Sequence, residues 1–323
     1  MAAPSDSRED FTYTGEPEPH SGRAREILRR HPEIRELIRP NPRTFWWAVG
    51  LVAFQMTIAA WLADAPWWAV VLVAYFVGAF VSHALGVLIH ECAHRLVFRQ
   101  AWANVLTGML ANLPVFFPSS RLFQTYHLKH HAYLGVYEID GDLPSRWEAK
   151  LAGRSAIGKA LWLLLFPFIQ LTRLYRLKGI RPVDGWMILN TVVQVGFDLA
   201  VLFVLGPRAL VYLVLSLYFS ISLHFLGGRW VQEHFLPGAG AQETFSYYGP
   251  MNRLTFNVGH HAEHHDFTGV PWNNLPKLRR AAAETYEGIQ WHRSLSRLLV
   301  GFLFDRRQSL YSRVLREHRG MQG

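Results

Sequence analysis

Four stretches of the chain are apolar almost without interruption: residues 44–63, 66–89, 186–206 and 209–228. Each approaches or exceeds the ~20 residues that cross a ~30 Å hydrocarbon core as a helix, so each predicts a transmembrane helix. Trp46, Trp47, Trp67, Trp68 and Trp186 fall at the ends of these runs, where interfacial aromatics belong. Gln194 and Asp198 lie inside the third run, and polar groups at that depth are expected to face protein rather than lipid. Two shorter runs, 102–117 and 156–171, are interrupted by Pro114 and Pro167 and predict interfacial or re-entrant helices. The turns 64–65 and 207–208 join the four long runs into two hairpins. The expected fold is therefore an all-α integral membrane protein with four transmembrane helices. An N-terminal tail (1–43) precedes a membrane domain (44–323). The first apolar run starts too late for a signal peptide.

Charge then orients the chain. Of 33 basic residues, 8 lie in 1–43, 12 in 95–185 and 12 in 229–323, while the two short turns hold only Arg208. Basic residues mark the cytoplasmic side, so both termini and the middle segment are expected there. The net charge of +9 follows from this topology. No nucleic-acid-reading motif accompanies it, and no nucleic-acid partner is expected. The single cysteine, Cys92, excludes an intrachain disulfide and a thiolate metal cluster.

The 16 histidines are unevenly spread. His20, His31, His292 and His318 sit in polar segments and are read as solvated surface. The others concentrate in HECAH (90–94), HLKHH (127–131) and HAEHH (261–265), all on the expected cytoplasmic side. The second run can continue as one helix from Trp67 to His94, ~42 Å at ~1.5 Å per residue, and so carries its histidines beyond the hydrocarbon. His90 and His94 are spaced i,i+4. His127, His130 and His131 are spaced i,i+3,i+4, and His261, His264 and His265 repeat that spacing. On a helix such positions share one face, which suits gripping metal. Eight imidazoles are too many for one four-coordinate ion, so two ions are expected, and His234 is a ninth candidate just past the fourth run. Imidazole alone leaves iron, zinc, copper and nickel open. His224 and His83 are weaker candidates, each with a structural reading inside the bundle. HECAH also satisfies the H-E-x-x-H pattern of zinc proteases, but that chemistry leaves the other two clusters unused. A metal transporter would place its ligands near the bilayer midplane, whereas these gather at one face.

HECAH, HLKHH and HAEHH on four spans resemble the membrane-bound fatty-acyl desaturase and hydroxylase superfamily. The segments SREDF (7–11), REILRRHPEIRELIRPNP (25–42), ANLPV (111–115), YHLKHHAYLG (126–135), ETFSYYGPMNRLTFNVGHHAEHHDF (243–267) and YSRV (311–314) narrow the resemblance to the sphingolipid 4-desaturases. The resemblance implies two non-haem irons, O₂ as co-substrate and a 4,5-trans double bond introduced into a dihydroceramide-type base; some members hydroxylate carbon 4 instead. It implies His90, His94, His127, His130, His131, His261, His264 and His265 as ligands, with His234 as the ninth. Three positions depart from the pattern. The chain begins Met-Ala rather than Met-Gly, so no myristoyl anchor is expected. His260 stands where a tyrosine usually precedes the third cluster and competes with His261. Arg229 stands where the family often has histidine.

An unactivated methylene cannot be deprotonated by any side chain near neutral pH. Oxygen-activating iron supplies hydrogen-atom abstraction instead, and the protein binds and orients. The lipid chain is expected to enter from the bilayer into an apolar tunnel walled by 102–117 and 156–171. Asp140 and Asp142 are read as exposed loop acids. With no fused redox domain, electrons are expected from a separate carrier such as cytochrome b5 or a ferredoxin, attracted by the basic face. The membrane is the endoplasmic reticulum in a eukaryote and the inner membrane in a bacterium.

Overall fold

A computed structural model of the chain describes residues 10–179, 183–238 and 242–317, and helix dominates it. The N-terminal segment forms strand β1 (Thr12–Thr14) and helix α1 (His20–Arg30). Helices α2 (Arg43–Trp61) and α3 (Trp67–Ala93) follow, then α4 (Ala101–Asn112) and α5 (Ser119–Ala132). Next come α6 (Arg146–Ala152), α7 (Ala156–Thr172), α8 (Gly185–Leu205), α9 (Pro207–Ile221) and α10 (Gly228–His234). The C-terminal part holds β2 (Ser246–Tyr247), α11 (His261–Asp266), α12 (Leu275–Ala281), α13 (Ala283–Tyr286), β3 (Trp291–His292), α14 (Leu295–Phe304) and β4 (Val314–Arg316).

Five helical stretches are long and apolar enough to cross a membrane: Arg43–Trp61, Trp67–Ala93, Ala156–Tyr175, Gly185–Leu205 and Pro207–His234. Four correspond to the long apolar runs. The additional one arises because the helix continues through Pro167 instead of breaking there. Apolar side chains point outward along these helices, among them Trp46, Phe54, Trp61, Val192, Phe203 and Val204. That pattern suits lipid and not water. The chain is thus an all-α integral membrane protein.

Helix α3 runs unbroken from Trp67, through a π turn at Ala74–Gly78, and His94 caps it. The last long run behaves differently. Helix ends at Ile221, extended backbone follows at Ser222 and His224, and α10 then carries the chain to His234. Gln194 is buried in α8, accepting from Asn112 Nδ2 at 2.5 Å and donating to Leu113 O and Asp198 Oδ1, both at 2.9 Å. It faces protein, as its cost in lipid requires, whereas Asp198 is only half-buried.

The two ends of the chain meet. β1 pairs in parallel with β4, Thr12 opposite Val314, while β2 pairs with β3. Ile27 and Ile34 are fully buried against Phe267, Val270, Leu275, Leu278 and Tyr286. The N-terminal segment is therefore packed onto the region that follows the third histidine cluster.

Candidate metal centre

The three clusters and His234 reach one place by different routes. Helix α3 delivers His90 and His94 rigidly from its end. The last turn of α5 delivers His127, His130 and His131, and α10 ends at His234. Helix α11 is only six residues long, so its position is set by the turn before it. There Phe256 and Asn257 take left-handed backbone (φ 46° and 54°), and Asn252 donates to Tyr247 O and accepts from Gly259 N. A Cβ on Gly259 would lie 2.4 Å from Asn252 Oδ1 and 2.8 Å from Tyr247 O, so only glycine fits this close approach.

The imidazoles form two abutting groups. His90, His94, His127, His131 and His264 make one, and His130, His234 and His265 make the other; within each, one ring nitrogen per residue lies within 4.8 Å of the rest. In the first, His131 Nε2 faces His127 Nε2 at 3.0 Å and His264 Nε2 at 3.2 Å. In the second, His234 Nε2 faces His130 Nε2 at 3.1 Å, and His261, beside the group, brings its Nε2 to 3.0 Å from His234 Nε2. The rings of His131 and His265 join the groups, with centroids 4.2 Å apart.

The chain matches the fatty acid desaturase family model over residues 65–296 and a sphingolipid Delta4-desaturase model over residues 7–43. A sphingolipid delta(4)-desaturase DES1 of Homo sapiens is 38% identical over 97% of this chain and 97% of its own. A DES1-like relative of Oryza sativa subsp. japonica is 38% identical over 98% of each. A Caenorhabditis elegans relative, named for both sphingolipid delta(4)-desaturase and C4-monooxygenase, is 39% identical over 98% of this chain and 87% of its own. The chain belongs to the sphingolipid delta(4)-desaturase family. It is an oxidoreductase.

The donor set of this desaturase fits metal. His130 Nδ1 lies 2.8 Å from Asp140 Oδ1, and His234 Nδ1 lies 3.1 Å from Glu243 O. Both partners only accept, so both rings carry hydrogen on Nδ1, and in their neutral forms they aim Nε2 lone pairs at one another. A cation, proton or metal, has to lie between them. His90 Nδ1, His94 Nε2, His264 Nδ1 and His265 Nε2 are buried with no hydrogen-bond partner, a loss that coordination would repair for any that ligate. Burial, reinforced by His130, lowers the His94 pKa to about 3. Burial together with neighbouring imidazoles also holds His127, His131, His264 and His265 well below the usual range. His261 is lowered too, by burial and then by the Arg229 charge. These rings are neutral at physiological pH, the state that binds metal. His130 is the exception: burial works against its protonation, but the Asp140 carboxylate outweighs it and raises the pKa.

Two sequence readings are corrected here. Asp140 is not an exposed loop acid; it is fully buried, orients His130, and accepts from Gly135 N and Asp142 N at 2.9 Å each. A carboxylate behind a ligating histidine fixes tautomer and ring orientation. Its loop sits against the α5 terminus, a tertiary fact invisible in its polar sequence. His20 is not solvated surface. It is 4% exposed, with Nδ1 2.7 Å from Asp266 Oδ1, Nε2 2.9 Å from Thr244 Oγ1 and its ring 4.9 Å from that of His265. Arg23 clamps both oxygens of the same Asp266. Packing of α1 brings these groups in. His83 is buried in α3, but both its ring nitrogens lack hydrogen-bond partners and it joins neither group.

The remaining candidates have contacts of their own. His261 points into the cluster, whereas His260 Nδ1 contacts Glu263 Oε1 at 2.9 Å. Glu263, fully buried, also accepts from Ser246 Oγ at 2.5 Å and Tyr248 OH at 2.7 Å, which anchors α11. His224 contacts Tyr75 O at 3.1 Å and accepts from Leu226 N, a structural role. Arg229 Nε lies 2.8 Å from Glu233 Oε1, which stands 3.7 Å from His261 Nδ1. Glu91, the second residue of HECAH, accepts from Trp272 N at 3.1 Å and ties the third-cluster loop to α3. It serves here as an anchor.

Proposed function

We propose that the chain is an O₂-dependent sphingolipid desaturase that introduces a 4,5-trans double bond into a dihydroceramide-type long-chain base. The observation that carries the reading is the convergence of nine imidazoles into two adjoining groups, in a chain whose full-length relatives are named for this reaction. His90, His94, His127, His131 and His264 are assigned to one iron, and His130, His234, His261 and His265 to the other. Iron so held supplies oxygen activation for hydrogen-atom removal. The overall change removes one hydrogen from C4 and one from C5 and reduces O₂ to two waters, with two electrons and two protons supplied from outside. The chain's own residues hold the imidazoles in their neutral tautomers, exclude bulk water by burial and orient the lipid.

The topology proposed with this function has four spans in two hairpins, both termini and the metal centre cytoplasmic, and 44–323 as the desaturase domain behind the segment 1–43. Helix α7 is assigned to the interface. Its buried face, Trp162, Leu163, Phe166 and Ile169, packs on Phe235, Leu299, Phe302 and Leu310 of the C-terminal region, and Lys159 Nζ donates to Asp305 O at 3.0 Å. Its other face shows Ile157, Leu161 and Phe168 outward, as an interfacial helix does. Electrons are assigned to a separate acidic carrier such as cytochrome b5 or a ferredoxin. A second reading, hydroxylation at C4, is favoured by the dual name of the Caenorhabditis elegans relative. Mass spectrometry of sphingolipids from a host expressing the chain tests both: a 4,5-unsaturated base is expected, a 4-hydroxy base alone selects the second reading, and unaltered dihydroceramide rejects both.

A further inference from the structure

A cavity of about 370 Å³ is lined by Arg95, Ala101, Trp102, Val105, Arg121, Gln124 and Trp186. It is bounded by α4, α5 and the start of α8. Arg95 directly follows His94. Arg121 and Gln124 stand on the same stripe of α5 as His127 and His131, at intervals of three, three and four residues. At ~1.5 Å rise per residue, Gln124 is ~4.5 Å and Arg121 ~9 Å along the axis from His127. Cavity and histidines therefore share one face of α5.

The polar lining is built and not incidental. Gln124 is buried; its Nε2 donates to Ala93 O at 3.0 Å, and its Oε1 accepts from Arg121. Arg121 also holds Asp184 Oδ2 at 2.6 Å, which neutralises it. Arg95 takes left-handed backbone (φ 60°), a conformation that favours glycine, and has no side-chain partner among the described residues. Trp102 and Trp186 stand half-exposed at the starts of α4 and α8, as aromatics at a membrane interface do.

We propose that this cavity receives the polar head of the sphingoid substrate, with Arg95 as its free donor; the inference rests on the function proposed above. The argument is one of reach. A reaction at C4 acts three bonds from C1 and one bond from the carbon bearing the 3-hydroxyl. Three carbon–carbon bonds of ~1.5 Å span at most ~4.5 Å, so the head has to sit directly against the metal centre. Gln124, in the cavity lining, stands one helical turn before His127. Gln124 and Arg121 are already engaged, so Arg95 is the lining's one unpaired charged donor, able to donate to hydroxyl and carbonyl oxygens.

The test uses the full-length protein in nanodiscs, without electron donor, irradiated with a dihydroceramide that carries a diazirine on its head. Label is expected on peptides spanning 101–105 or 121–124, removed by excess unlabelled dihydroceramide. Label elsewhere, or label removed equally by phosphatidylglycerol, overturns the proposal. In turnover, Arg95→Ala is expected to raise KM for dihydroceramide about tenfold, the worth of one hydrogen bond from a charged group, with kcat and iron content unchanged. An analogue lacking both head hydroxyls is expected to show no such penalty. An unchanged KM overturns the role of Arg95. Wild-type protein that is labelled here but makes no unsaturated product keeps the site and removes the desaturase assignment; product without label here does the reverse.

Discussion

The two histidine groups touch, yet they are held in different ways. The group of His90, His94, His127, His131 and His264 takes four of its members from the ends of two well-packed helices, and His90 Nδ1 and His264 Nδ1 have no hydrogen-bond partner. Helix packing orients those rings. The group of His130, His234 and His265, with His261 beside it, is braced from outside. Asp140 holds His130, the Glu243 carbonyl holds His234, and Arg316 of β4 clamps the Glu243 carboxylate. His20 of α1 lies against His265 and reaches Thr244, whose Oγ1 is 3.4 Å from His234 Nδ1. The first group rests mainly on the packing of α3 against α5; the second depends on loops and on both ends of the chain. Loss of a hydrogen bond is therefore expected to damage the second group selectively.

The largest effect comes from removing donors. His131→Ala or His264→Ala is expected to take turnover to background while the protein still inserts, and His234→Ala to lower bound iron from two per chain toward one. Two irons retained in His234→Ala would dissolve the distinction between the groups. Asp140→Asn comes next. It keeps the shape but removes the charge behind His130, and a loss of 10–100-fold in affinity for one ion only is expected, as for other partners of ligating histidines. Equal weakening of both ions in a metal titration would contradict the comparison.

Metal removal has a signed pH dependence. His94, His127, His131, His261, His264 and His265 all have folded pKa values below the ordinary value near 6.5. Below that value the unfolded chain binds more protons than the folded chain, so stability falls as pH drops. The slope is up to about 1.4 kcal/mol per pH unit for each imidazole. Chelator-treated protein is expected to lose stability from pH 7 to 5, and metal-loaded protein to resist until the ions leave. Identical unfolding curves for the two forms would remove the metal from the account. The smallest effect is assigned to His20→Ala: a few-fold weaker second ion, restored by His20→Gln, with the first ion untouched. Loss of both ions would mean that α1 merely supports the fold.

The histidine spacing and the apolar runs were legible because helix geometry is local: i,i+4 pairs share a face whatever surrounds them. The 67–94 helix and eight of the nine imidazoles needed nothing more, and His234 followed from its place beyond the last run. Asp140 and His20 were illegible for the opposite reason. Each is a polar residue in a polar segment; His20 is buried through a contact 246 residues away, at Asp266, and Asp140 through a loop that folds back on His130, ten residues earlier. The contact of His260 with Glu263 and the packing of the helix through Pro167 against α14 appear only in the fold. The sequence by itself determined which side chains cluster by type and spacing and which helices are apolar enough to cross a membrane, since periodicity and hydropathy act over a few turns. Only the tertiary structure decided how the imidazoles divide into two groups and which carboxylates stand behind them. Those contacts join segments that no local rule relates.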